Sequence, residues 1–349
     1  VTPAVLTPMQ RVLTTLGHQE PDRVPFFLGL TIHGARALGL SIREYFSRPE
    51  YVIEGQLRMR ARYDHDLHMG LFYAAIELEA FGGETLFFDD GPPNAGAPVI
   101  RRSSQISALS APIIQDHPPL MRVLAMLEGL KREVGDAVPI VGVAVSPFSL
   151  PVMQLGFEAY LDLLTGDRET FWRLMAVNEE FCVRWANAQL RAGATAICYF
   201  DPLASPTMIE RPLYLETGHI VAKRTLSRIE GPTITHLASG RALAVLDDLA
   251  ATGTAAVGVS VLEDLAELKR GCRNRMTVLG NLNAIEMRHW TPAEAERHVR
   301  DAISKGAAGG GFILSDNHGE IPWQVPESVL DEISAAVHRW GTYPVPEGR

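Results

Sequence analysis

Eight short apolar runs, each followed by a stretch of helical character, constrain this chain more than any other feature. They occupy residues 24–28, 65–70, 139–145, 195–201, 232–236, 255–260, 276–281 and 311–315. Their apolar residues are continuous rather than alternating with polar ones, as in parallel strands buried on both faces. Helical stretches with clear stops separate them: 167–192 before Gly193, 241–252 before Gly253, and 291–305 before Gly306. Thr291-Pro292-Ala293-Glu294 supplies a helix cap, a first-turn proline and the glutamate of a capping box. A β/α unit repeated about eight times over roughly 300 residues predicts an α/β fold of the (β/α)8, TIM-type barrel class. A doubly wound open sheet would bring a glycine-rich phosphate loop after an early strand, and none is present.

The whole chain, 1–349, reads as one barrel domain with two additions. Residues 1–20 predict a leading helix over the barrel's bottom or side. Residues 77–112 interrupt the second β/α unit, with 85–91 and 97–102 as the arms of a β-hairpin insertion after the second strand. An insertion there stands at the barrel mouth, where it serves as a lid or docking element or is an inert elaboration.

Composition narrows the function classes. The chain carries a net charge of −9, with no basic stripe, which speaks against nucleic-acid and membrane-surface roles. The three cysteines are scattered without a CxxC pair, which suggests a reducing, cytoplasmic setting. No run approaches the ~20 apolar residues of a membrane span. The opening residues lack the basic region and apolar core of a signal peptide.

Barrel enzymes keep their chemistry at the C-terminal ends of the strands. Two runs end on histidines: Ile234-Thr235-His236 and Ile313 through His318-Gly319. The other strand ends add Asp201, Ser260 with Glu263 and Asp264, Asn281, and Ser315 with Asp316 and Asn317. A single histidine or aspartate at a strand end is more often structural. Two histidines and an aspartate converging on one mouth point to a site. His236, His318 and Asp201 are the expected catalytic residues. Glu77, Glu79, Asn281 and His33 are the expected substrate-binding residues, and His236, His318 and Glu263 the expected metal ligands. His68 is a further candidate to face the mouth.

Several stretches resemble the uroporphyrinogen decarboxylase superfamily. They include Arg11-Val12-Leu13 through Pro21-Asp22-Arg23-Val24-Pro25, Ile76 through Gly82, Ser146-Pro147-Phe148 with Gly156-Phe157-Glu158, Ala192 through Ser205, Gly280-Asn281, and Leu314-Ser315 through Pro326-Glu327. The closer branch is that of the corrinoid-linked methyltransferases related to methylcobalamin:coenzyme M methyltransferase. This resemblance implies transfer of a methyl group between a small substrate and the cobalt of a corrinoid (methylcobalamin) on a separate corrinoid-binding protein. The chain shows no Asp-x-His-x-x-Gly corrinoid signature; Asp64-His65-Asp66-Leu67-His68-Met69-Gly70 departs from it.

The departures carry chemical meaning. The Arg-Gln-Ala-Gly-Arg element of the decarboxylases, which meets the porphyrinogen carboxylates, is replaced by Gly29 through Arg36. The thiol-methylating branch binds zinc through a His-x-Cys pair and a distant cysteine. Here the pair is His236-Leu237-Ala238, and the distant position is His318. A nitrogen- and oxygen-ligated zinc would favour an oxygen leaving group, as in O-demethylation, over thiol activation. Alternatively the metal is lost and the histidines are acid–base or positioning groups. A decarboxylase acting on a small acid is the first competing reading. It would need arginines such as Arg36, Arg101, Arg102, Arg211 or Arg241 at the mouth. A non-catalytic small-ligand or corrinoid-binding protein is the second.

Overall fold

The computed structural model describes residues 5–70 and 72–345. In chain order its strands are β1 (His68–Gly70), β2 (Thr85–Leu86), β3 (Asn94–Ala95), β4 (Ile140–Val145), β5 (Ala196–Phe200), β6 (Thr233–His236), β7 (Ala256–Gly258), β8 (Thr277–Leu282) and β9 (Phe312–Asp316). Seven of them form one parallel sheet in the order β1-β4-β5-β6-β7-β8-β9, and β2 pairs with β3 in a separate antiparallel hairpin. The sheet curls with helices outside it, the TIM-type architecture expected from the spacing of the apolar runs.

The eighth position is held by residues 24–28 without a regular ladder. Pro25 has no N–H to give. Its carbonyl accepts from Leu314 N, Phe27 N donates to Leu314 O, and Phe26 O accepts from Asp66 N. This segment therefore links the two edges of the sheet, with Phe26 bridged in parallel to Leu314.

A buried ion network fastens that seam. Asp66 accepts from Arg11 Nη1 at 2.6 Å, from Arg23 Nη1 at 2.7 Å and from Phe26 N at 2.9 Å. Arg11 also grips Asp22 through two bonds of 2.7 Å. The helix Pro8–Leu16, capped by Thr7 in a capping box with Gln10, delivers Arg11 to this point. The predicted leading helix is thus present over part of its range, and residues 1–4 lie outside the described residues.

A second irregularity lies between β1 and β4. Only Ile140, Val141 and Gly142 have partners on the short β1. Further along, side chains complete the edge. Gln189 accepts from Val143 N at 3.0 Å and donates to Val143 O at 2.7 Å, while Glu77 accepts from Val145 N at 2.8 Å. Burial pushes the Glu77 carboxyl up to about 8, so it is protonated at neutral pH.

Most helices fall where expected. Arg168–Arg191 is capped by Asp167, and Pro292–Gly306 carries the Thr291/Glu294 capping box. Two expectations need correction. The helix predicted over 241–252 shortens to a 3₁₀ turn (Leu243–Val245) and a short helix (Leu246–Ala250), because Glu263 accepts from the N–H groups of Ala242 and Leu243 and holds the chain outside the helix. The second hairpin arm forms at Asn94–Ala95 rather than 97–102. Pro98 cannot donate to a ladder, and Ile100 N donates to Gln154 O instead.

No helix among the described residues is long and apolar enough to cross a membrane. Replacing Asp66 with alanine leaves the buried Arg23 guanidinium with no carboxylate nearer than Asp64 at 3.9 Å and Arg11 with Asp22 alone, and denaturant unfolding should show a loss of about 3–5 kcal/mol. Glu77 makes a pH prediction. Its folded pKa lies above its unfolded value of about 4.5, so the folded state holds an extra proton between the two. Its contribution is full below about pH 4.5 and is lost as pH rises through about 8. Glu77→Gln should remove that part of the slope in urea unfolding measured across this window.

Candidate active site

Alternation along each strand sorts the barrel side chains into inward and outward sets. Val141, Val143 and Val145 of β4, Cys198 and Phe200 of β5, and His236 of β6 face inward. They line a cavity of about 180 Å³ running along the barrel axis. The helix Pro8–Leu16 covers one end with Met9, Val12 and Leu16. His236, Ser315, His318 and Glu320 stand at the other end, at the C-terminal mouth.

His236 is the best-defined group of the mouth. Its ring lies near Phe200, at 6.0 Å and 24° between planes. Gly258 and Gly319 make room for it. A Cβ at 258 would come within 2.4 Å of His236 Cδ2, and one at 319 within 3.3 Å of Cε1. The chain then turns sharply, with Ala238 at φ 51°, a region alanine seldom adopts. That turn lets Ala238 N donate to His236 Nδ1 at 3.0 Å. With Nδ1 accepting, the neutral ring carries its proton on Nε2 and is a hydrogen-bond donor there. Burial lowers the His236 pKa to about 4, with Asp316 opposing and His318 adding to the shift.

The second histidine sits on a turn built by Asp316. Asp316 Oδ1 accepts from His318 N at 2.9 Å and from Gly319 N at 2.6 Å, while Oδ2 accepts from Gly29 N at 3.3 Å. His318 Nδ1 pairs with Ser239 Oγ at 3.0 Å, and Ser260 Oγ donates to Ser239 O. Asn281 Nδ2 donates to Ser260 O at 2.9 Å. Hydrogen bonds thus run across the ends of β6, β7, β8 and β9.

Glu320 is the site residue that strand ends alone did not reveal. It lies four residues beyond β9, where Gly319 at φ 90° turns the chain over the mouth. Thr31 Oγ1 donates to its Oε1. Burial first, with the nearby Asp316 adding, raises its carboxyl to about 7. The available clue was the glycine after His318, since a reversal there brings the next side chain back to the axis.

Other expected site residues lie elsewhere. Asp201 has the outward parity of Tyr199, and its Oδ1 accepts from Ser146 Oγ and Ser149 Oγ, both at 2.6 Å. It bolts the β4 exit to the β5 exit among buried tyrosines, and burial raises it to about 6. Glu77 completes the wall as described. Glu79 accepts from Tyr73 and Thr85 and anchors the hairpin. His33 is buried beside Trp323, with ring centroids 6.0 Å apart, and burial lowers it to about 3. His68 points to the outer layer beside His65, their ring centroids 6.4 Å apart.

Of the expected zinc ligands, His236 and His318 share the mouth, while Glu263 is committed to the backbone of Ala242 and Leu243. Both Glu263 oxygens accept backbone N–H groups, and His236 Nδ1 is engaged by Ala238. Among the described residues no three His, Cys, Asp or Glu side chains form a metal-holding group. The donors at this mouth fit hydrogen bonding to a substrate rather than a three-ligand zinc site.

A ring kept neutral by burial and locked as the Nε2–H tautomer has a measurable signature. Nitrogen-15 NMR should show His236 with Nδ1 unprotonated and a titration midpoint near 4. A midpoint near 6.5, or the opposite tautomer, would refute the assignment.

Comparison with known proteins places this geometry in a lineage. The family described as Uroporphyrinogen decarboxylase (URO-D) matches residues 7–340. Among curated relatives, the uroporphyrinogen decarboxylase of Cellvibrio japonicus is 25% identical, with 84% of this chain and 86% of that protein covered. The enzyme of Citrifermentans bemidjiense is 29% identical, with 75% and 76% covered. Among solved structures, a methyltransferase from Methanosarcina mazei superposes with a TM-score of 0.85 at 19% identity, covering 96% of this chain and 99% of that one. A B12-independent methionine synthase from Shewanella sp. W3-18-1 superposes with a TM-score of 0.57 at 14% identity, covering 85% and 89%. The structural likenesses show a shared fold, and the match over 7–340 shows that this chain belongs to the uroporphyrinogen decarboxylase family.

Proposed function

We propose that the chain is a corrinoid-dependent methyltransferase taking a methyl group from an oxygen of a small uncharged substrate. The acceptor is the cobalt of a corrinoid on a separate protein. One observation carries the reading: the cavity presents an imidazole kept neutral by burial and a carboxyl raised to about 7, which keeps its proton below that pH, and no Lys or Arg lines it among the described residues. Of the arginines named above, Arg36 lies over the Trp323 ring at 4.1 Å, and Arg211 is paired with Asp248 at 2.7 Å. A substrate of several carboxylates would find no counter-charge along this cavity.

A corrinoid on the partner protein would supply a reduced cobalt as the methyl acceptor, and the residues of this chain act on the substrate oxygen. As the carbon–oxygen bond breaks, its electron pair stays on the substrate oxygen. His236 Nε2–H donates a hydrogen bond to that oxygen, and the Glu320 carboxyl gives it a proton. Stabilising the developing charge by ~3 kcal/mol is worth somewhat more than a hundredfold in rate. His318, exposed at the rim and held by Ser239, orients the substrate.

A carboxy-lyase acting on a small acid is the second reading, favoured by the decarboxylase names of the curated relatives. One assay separates the two. The protein is incubated anaerobically with chemically reduced cobalamin and methyl ethers, and methylcobalamin absorbance is followed beside carbon dioxide release from candidate acids. Cobalt methylation should appear, and His236→Ala and Glu320→Gln should each lower it by about a hundredfold. The rate should be flat below about pH 7 and fall above it as Glu320 loses its proton, with Glu320→Gln lacking that inflection. Carbon dioxide release without cobalt methylation would replace this reading with the second.

A further inference from the structure

The cavity extends well below the polar groups of the mouth, and none of the chemistry above uses that depth. TIM-type barrels are ordinarily filled by layers of bulky branched side chains. Here Ala196 and Cys198 of β5 and Ala256 of β7 are small, and the axis stays hollow down to Met9 and Leu16. The walls between are Val141, Val143, Ile234 and Leu279. A water needs two to four polar partners; these side chains offer none, and of the two threonines that also line the cavity Thr195 is engaged by Ile140 N. A charged group would be buried there without a counter-ion. Dry apolar cavities of ~150 Å³ accept a benzene-sized guest, and this one measures about 180 Å³.

We propose that the barrel axis is a binding pocket for the apolar body of the substrate. That body is uncharged, about the size of one six-membered ring, and lies between Cys198 and Leu279 below His236. The oxygen-bearing end then points up to His236 and Glu320. The proposal rests on the methyl-transfer reading only for what happens at that end. An uncharged ring is selected because its body replaces empty space without displacing bound water. A carboxylate on the buried side of the ring is rejected because nothing along the axis pairs with it.

Binding is tested without corrinoid or turnover, so its outcome is separable from that of the methyl-transfer assay. Toluene and phenol are titrated into the full chain by calorimetry, with benzoate and benzenesulfonate as charged counterparts. Toluene and phenol should bind at one site, at least tenfold more tightly than either anion. Cys198→Phe, which fills the hollow, should weaken toluene binding at least tenfold. Because an overfilled core can fail to fold, crystals of the unaltered protein under xenon pressure provide a second reading. Xenon should occupy the axis beside Cys198 and Leu279. Anions binding as tightly as toluene, a folded Cys198→Phe variant that keeps full affinity, or no xenon on the axis would each overturn the proposal. Cobalt methylation without toluene binding would leave the functional reading standing and remove this one.

Discussion

The Asp66 carboxylate holds the structure at its weakest point. A closed barrel has one place where the first strand must meet both the second and the last, and here that strand makes only scattered backbone bonds. Pro25 and the short β1 leave too few ladder bonds to secure it. Asp66 supplies what they lack, drawing Arg11 from the leading helix, Arg23 from the strand entrance and the Phe26 N–H onto one buried carboxylate. Partners within 2.9 Å offset the desolvation of the three charges, and removing Asp66 would leave Arg11 with Asp22 alone and Arg23 with no carboxylate nearer than Asp64 at 3.9 Å.

A barrel fastened at its seam and clothed by helices tolerates a hollow axis. Most of the large buried cluster lies outside the strands, where Leu314, Val278 and Val257 meet the helix layer. The inward-facing cluster is far smaller. Stability is therefore supplied by the outer layer, and the axis is free to be shaped for a ligand. The same separation explains the irregular wall between β1 and β4. Glu77 and Gln189 satisfy backbone groups that a longer strand would have paired, and an unpaired buried N–H costs more than the bond that replaces it contributes.

The strand positions were legible because parallel buried strands carry a strong apolar pattern, and the eight runs correspond to the seven strands and the bridging segment. The direction of each terminal side chain was harder to see. Asp201 and His236 both stand at strand ends, yet one faces the helices and the other the axis. A shift of one residue reverses the face, and the parity of Cys198 and Phe200 with Ala196 settles it only once the axis is known. The local folding of 241–252 escaped because the cause, Glu263 capping from the next β/α unit, is not local. Glu320 escaped because its position depends on a turn anchored by Asp316, not on strand periodicity.

The two titratable groups of the mouth are driven in opposite directions by one cause. Burial beside an apolar axis lowers His236 and raises Glu320, so each is neutral when an isolated residue would begin to carry charge. Asp316, one chain turn away, opposes the first shift and adds to the second. Its oxygens are nevertheless committed to backbone N–H groups, so it shapes the loop rather than taking a substrate proton. The result is a neutral imidazole donor beside a carboxyl that keeps its proton up to about pH 7, over an apolar cavity. Such a pair gains most when an oxygen above it acquires charge, because it meets that charge with little competing solvent and already aligned hydrogen bonds. The hollow axis and the shifted groups are therefore two consequences of one design, since filling the axis with water would return both residues toward their ordinary ionisation and remove the advantage.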